Sequence, residues 1–176
     1  MPTLTAEQII TLLAQYVTDT GESIDVLIVG ALALQAYGVS HRTTRDLDAE
    51  LQGPLIPLMD YLAAHDIPAD LTQNFSGWSV VAMPPGYRDR AIDLINRPRL
   101  RVRVLSPIDF VIAKLRRGTE LDLDDALVVT ERHQLTTETI RASARAALTA
   151  SPQDTALFLF QKTVDLFCKS LTSPTG

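Results

Sequence analysis

The chain has 176 residues and a mass of 19.3 kDa, enough to bury a core without disulfide or metal staples. Apolar residues make up 46% and charged residues 21%, a globular balance that excludes a disordered polypeptide. The net charge of −5 argues against coating of nucleic acid by the whole surface, and the single cysteine, Cys168, excludes an internal disulfide and a multi-cysteine zinc site.

No apolar run approaches the ~18 residues that a membrane span needs, and no basic-then-apolar leader opens the chain. The expectation is a cytoplasmic protein with no membrane partner. In chain order, Thr5 and Gln8 form a capping-box pattern ahead of a helix over 6–17, with Ile9, Leu12, Leu13 and Tyr16 on one face. Residues 25–29 (DVLIV) read as a buried strand ending at Gly30, followed by a short helix over 31–37 closed by Gly38. A second strand is expected over 45–51 and a helix over 54–64. Three more strands are expected over 78–83, 91–95 and 100–105. Ser106-Pro107-Ile108-Asp109 is a helix start, with a cap, a first-turn proline and an early acid. Further helices follow over 120–131 and 138–148, and a last one opens at Ser151-Pro152 and buries Leu157, Phe160, Val164 and Cys168. This order predicts one α+β domain over 1–176. It is a small mixed β-sheet with flanking helices, core about 22–135, and a helical extension over about 136–172.

The charge is unevenly spread. Thirteen of sixteen basic residues are arginine, and Arg88, Arg90, Arg97, Arg99, Arg101 and Arg103 lie close together. The guanidinium fork suits phosphate, so the cluster reads either as a phosphate-facing patch or as a solvated arginine-rich hairpin.

The most informative stretch runs from Val29 to Leu51. A glycine at a strand–helix turn lets a phosphate approach the backbone, although many such turns use glycine for steric reasons alone. Asp46 and Asp48 flank Leu47 on the expected second strand, so both carboxylates project from one face. Two like charges ~4 Å apart repel by about 4 kcal/mol at an effective dielectric of ~20. That favours a bound cation or full solvation, and Mg²⁺ suits an oxygen-only set completed by substrate phosphate. Asp93 interrupts the apolar run Ala91-Ile92-Asp93-Leu94-Ile95. It is expected to join the pair if its strand lies beside theirs, or to form a salt bridge with Arg88, Arg90 or Arg97. Asp122 and Asp125 share a helical face, placed to cap a loop, to bind Lys114, whose stem packs along the apolar stripe of its own helix, or to orient a triphosphate through a basic residue.

Gly30, the pair Asp46 and Asp48, and the later Asp93 stand in the order of the polymerase-β-like nucleotidyltransferase superfamily, which this chain resembles. Arg42, Thr44, Asp46 and Asp48, spaced R-x-T-x-D-x-D, look like the AbiEii-type nucleotidyltransferases, a group that includes toxins of toxin–antitoxin pairs. The stretch SPIDFVIAKLRRGTELDLDDALVV is similar to that group's helix pair, with Lys114 in the lysine's place and Asp122 and Asp125 as the acid pair. Ala31 stands where the family carries a second glycine or serine, and Leu121 where it carries a basic residue. The resemblance implies a nucleotidyltransferase fold and transfer of an NMP from an NTP to an acceptor hydroxyl. The acceptor would be RNA (a tRNA end among the options) or a protein, and a cognate antitoxin would accompany the chain if it is a toxin of such a pair. It implies Mg²⁺ or Mn²⁺ on Asp46, Asp48 and Asp93, and phosphate contacts from Gly30, Ala31, Arg42, Thr44 and Lys114, with Asp122 and Asp125 in support. The alternative is a catalytically silent module of the same fold that binds a nucleotide or a partner protein.

Overall fold

The structure, a computed structural model, describes residues 3–173. The elements run α1 (Ala6–Thr20), β1 (Ile24–Ile28), α2 (Ala33–Ala36), β2 (Leu47–Gln52), α3 (Leu55–Ala64), β3 (Ala69–Thr72), a 3₁₀ turn (Phe75–Trp78), α4 (Tyr87–Arg90), β4 (Ile92–Arg97), β5 (Leu100–Val104), α5 (Pro107–Arg117), α6 (Glu120–Arg132), α7 (Thr137–Ala150) and α8 (Ala156–Thr172). They fall into two compact units. One is the chain up to Phe75 together with Arg90–Leu105; the other is Ser76–Asp89 together with the chain from Ser106 onward.

The first unit holds the sheet, in the order β3-β2-β1-β5-β4. β1 pairs antiparallel with β2 and parallel with β5; β2–β3 is parallel and β4–β5 antiparallel, so the sheet is mixed. Alternation sorts its two faces. Val26, Ile28, Leu47, Ala49, Leu51, Val102 and Val104 are buried on one. The opposite face carries Asp25, Asp48, Glu50, Asp70, Asp93, Arg101 and Arg103, as the residue pairing requires. α1 packs on β5 and α3 on β3, and they bury Ile9, Leu13, Tyr16, Leu58 and Leu62. The capping box forms as expected: Gln8 N donates to Thr5 Oγ1 at 3.1 Å and Thr5 N to Gln8 Oε1 at 2.9 Å. α1 ends where Gly21 takes a left-handed φ of +71°, a conformation that costs glycine little.

The second unit is helical. Ser106 caps α5, and Gly118, at φ +67°, ends it. Thr119 and Asp122 then form a capping box that starts α6. Its leading segment is bound to the helices: Ala82 N donates to Ser151 Oγ at 2.8 Å, and Arg116 Nη2 donates to the Ser76 carbonyl at 3.0 Å. Burial lowers the Arg116 pKa to about 10, against an opposing contribution from nearby Tyr87.

Five expectations are corrected. Residues 78–83 form no strand. Ser76 Oγ accepts from Met83 N and Ser79 Oγ from Val81 N, which offers the backbone local partners in place of a ladder. A strand absent from the sequence reading, β3, forms instead just after Pro68. β2 begins at Leu47, so Asp46 lies on a bend one residue before it. The last helix opens at Ala156, whose amide donates to Asp154 Oδ1 at 2.8 Å, rather than at Ser151-Pro152. α2 is also shorter than expected, at four residues.

Candidate functional site

The turn after β1 and the start of β2 meet at Gly30 and Asp48. Val29 N donates to the Asp48 carbonyl at 3.0 Å, which fixes the two backbones side by side. A Cβ added at Gly30 would lie 2.6 Å from Asp48 Oδ2 and 2.7 Å from Asp48 Cβ. Only glycine therefore fits against this carboxylate, and the reason is space rather than dihedral freedom. The amides of Gly30, Ala31 and Leu32 donate to no described residue, whereas Ala33 N and Leu34 N already bond Gly30 and Ala31 carbonyls. Three backbone donors are thus left beside a carboxylate.

Asp46 is solvent-exposed, and Thr44 Oγ1 donates to its Oδ1 at 2.7 Å. Thr44 is itself held by a bridge to the N-terminal segment, Leu4 N to Thr44 O at 2.8 Å. The R-x-T-x-D-x-D stretch is in this way a braced loop running into a strand. Arg42 and Thr43 from the same stretch line a cavity of about 350 Å³ with Gln35 and Ser40.

Asp93 is not brought to this place. β4 is the far edge of the sheet, separated from β2 by β1 and β5. Three strand spacings amount to about 14 Å. The expected convergence with Asp46 and Asp48 fails because the strand carrying Asp93 pairs with β5 instead of β2. Asp93 forms the salt bridge that was the alternative, though with a different arginine. Arg101 Nε lies 2.8 Å from Asp93 Oδ1, with both side chains about two-fifths exposed (41% and 42%). That hydrogen bond, with the nearby positive charge, holds the Asp93 carboxyl below its ordinary pKa. Arg103 binds Asp25 through Nη2 at 3.0 Å. The arginine cluster thus spends Arg101 and Arg103 on the sheet's own acids.

In the helical unit, Lys114 Nζ bridges Asp122 Oδ1 at 3.2 Å and Asp125 Oδ2 at 3.0 Å, and Arg117 Nε reaches Asp122 Oδ2 at 3.1 Å. The side chains of Asp122 and Asp125 are 3% and 1% exposed. Burial pushes the Asp122 carboxyl up, but the Thr119 hydrogen bond, Lys114 and Arg117 together outweigh it and hold it below its ordinary pKa. The Lys114 ammonium is matched by two buried carboxylates within its own unit. Asp122 caps α6 and binds the lysine at once.

Two acids of the sheet escaped the sequence reading. Glu50 is 3% exposed, and its Oε2 accepts from Phe75 N at 2.8 Å. Asp70 stands on β3 directly beside Asp48 in the parallel register. Glu50 is the third acid of a D-x-D-x-E run, whereas Asp70 is brought beside Asp48 only by the β2–β3 pairing.

Among the described residues, no three histidine, cysteine, aspartate or glutamate side chains gather into a metal-holding group. Mg²⁺ ordinarily takes one or two protein carboxylates and completes its shell with water and substrate phosphate. Asp46 and Asp48, beside a turn with open amides, meet that demand. No helix among the described residues is long and apolar enough to cross a membrane.

The fold is a mixed sheet in which a glycine turn faces the D-x-D at the start of β2. Residues 6–157 match the family described as nucleotidyltransferase of unknown function (DUF6036), and the chain belongs to that family. Among solved structures it is similar to an antigenic nucleotidyltransferase-like protein from Paracoccidioides brasiliensis. The identity is 14%, over 97% of this chain and 89% of that one, with a TM-score of 0.46. No curated protein matches the sequence.

Proposed function

We propose that this chain is a metal-dependent nucleotidyltransferase that moves an NMP from an NTP to an acceptor hydroxyl on RNA or protein, in the cytoplasm. The observation that carries the reading is the Gly30–Asp48 apposition, where backbone donors and a carboxylate share a space too tight for any Cβ. In this reading Asp46 and Asp48 hold Mg²⁺ or Mn²⁺. When bound, the ion neutralises charge on the triphosphate and favours departure of pyrophosphate. The amides of Gly30, Ala31 and Leu32 donate to phosphate oxygens. Thr44 keeps Asp46 oriented, and Arg42, from the same braced loop, adds positive charge.

The displacement of Asp93 favours a second reading, a module of the same fold that binds nucleotide without turnover. A labelled-NTP transfer assay against total RNA and a protein lysate, with Mg²⁺ and then with EDTA, separates the two. Label on RNA or protein that vanishes with EDTA and in Asp48→Asn is the expected result, and the labelled class names the acceptor. NTP binding by calorimetry with no label on either class overturns the transferase reading. A role as the toxin of a toxin–antitoxin pair is tested by growth arrest on expression, lost in Asp48→Asn.

A further inference from the structure

We infer that the β4–β5 turn holds the phosphodiester backbone of the acceptor, which makes that acceptor RNA rather than protein; the inference rests on the transferase reading above. Residues 96–103 carry Arg97, Arg99, Arg101 and Arg103 and no acid, in a chain whose net charge is −5. The fold divides these arginines. Arg101 and Arg103 are matched by Asp93 and Asp25 on the polar face of the sheet. Arg97 and Arg99 are exposed, and neither forms an ion pair with a described residue. Arg99 Nη1 donates to the Gly21 carbonyl at 3.4 Å, a long bond that leaves the other donors of the guanidinium open.

The backbone of the turn points the same way. Arg97 pairs with Leu100, so Pro98 and Arg99 make the turn between them. Proline first and a positive φ second, +70° at Arg99, mark a type II turn, whose second position ordinarily takes glycine or asparagine. A left-handed arginine costs the fold stability that glycine would keep. That strain sits at an exposed tip and presents a planar fork that matches phosphate oxygens two at a time.

Position selects the ligand. β1 pairs with β5 from Ile24 and Leu100 onward, and with β2 as far as Ile28 and Ala49, so the turn lies at the end of the sheet opposite Gly30. Its separation from Asp48 is about 17 Å along the strands and about 10 Å across them. That is beyond the phosphates of a nucleotide held at Gly30, so an anion at the turn belongs to the other substrate. An acceptor that carries phosphates over such a span is a polynucleotide.

The test measures the anisotropy of a fluorescent single-stranded RNA of about 20 nucleotides, from about 50 to about 200 mM NaCl. Labelled-NTP transfer to total RNA, to DNA and to protein is measured alongside. The chains are wild type, Arg97→Ala, Arg99→Gly and Arg145→Ala, the last removing the same charge from an exposed position on α7. Losing one charged hydrogen-bonded contact costs about tenfold in affinity. Arg97→Ala and Arg99→Gly are each expected to weaken RNA binding by that factor and to flatten its salt slope by about 0.7. Both should lose transfer to RNA in proportion and bind NTP as wild type does, while Arg145→Ala behaves as wild type. Arg99→Gly should keep or raise the urea midpoint, because glycine suits the turn, so its lost binding is not unfolding. RNA binding unchanged in both turn variants, or weakened equally by Arg145→Ala, overturns the proposal and leaves the transferase reading intact. Label that reaches protein or DNA and not RNA does the same. Absence of transfer by wild type to all three classes overturns both.

Discussion

Two places in this molecule concentrate carboxylates, and they treat them in opposite ways. In the helical unit, Asp122 and Asp125 are buried and met by Lys114 and Arg117 at 3.0–3.2 Å. At the sheet, Asp46 and Asp70 are exposed, and Asp46 accepts from the Thr44 hydroxyl rather than from a cation. Taking charge out of water is expensive unless it is paired and hydrogen-bonded, so the first arrangement is what a stable interior demands. The second leaves negative charge beside open backbone donors, which serves a fold poorly and a cationic, phosphate-bearing ligand well. The lesson is that acid pairs similar in sequence spacing divide by environment: D-x-x-D on α6 is structural, and D-x-D at β2 is the candidate for chemistry.

The comparison breaks most sharply through Lys114. Lys114→Ala leaves two buried carboxylates uncompensated and is expected to destabilise the protein by roughly 3–5 kcal/mol, read from urea denaturation. If the midpoint barely moves, the buried cluster is not the structural pair described here. Asp48→Asn tests the other side. It should lower transfer by about 10²–10³-fold, with a smaller effect on thermal stability than Lys114→Ala because the side chain keeps its size. A large loss of stability with retained transfer would reverse the assignment.

Gly30→Ala forces a methyl group to within 2.7 Å of the Asp48 Cβ, so the backbone must yield and not merely the carboxylate. An overpacking cost of roughly 1–3 kcal/mol is expected, with weakened NTP binding by calorimetry. Acid titration sharpens the contrast further. The folded pKa of Asp122 is depressed, so its stabilising contribution is present above the ordinary carboxylate pKa of ~3.9 and is lost as pH falls through the folded value. Urea midpoints measured from pH 6 downward, a window set by that pKa (~3.9), should fall less steeply in Asp122→Asn than in wild type. The smallest effect belongs to the exposed pair: Arg101→Ala should leave both stability and transfer within experimental error, since ion pairs in water contribute little.

Much of the scaffold was legible in the residues. The Thr5–Gln8 box, the Ser106-Pro107 start and the apolar stripe of α5 are local signals, and each element formed where those signals stood. The run 78–83 misled because its apolar residues lie between serines that bond nearby amides. β3 was invisible because four residues after a proline carry too short an alternation to distinguish from a loop. The candidate site was legible in part for the same reason. Gly30, Thr44, Asp46 and Asp48 are close in sequence and close in space, whereas the place of Asp93 depended on which strand β4 would choose as its partner.

The sequence by itself determined the helices and their caps, the buried strand before Gly30 and the pair of acids that follow it, because periodicity, capping and turn chemistry act over a few residues. Only the tertiary structure decided which charges are matched and which are left open. Strand order and register are set by long-range pairing and by burial of one face of the sheet, and they put Arg101 beside Asp93, Lys114 between two buried acids, and Asp70 next to Asp48.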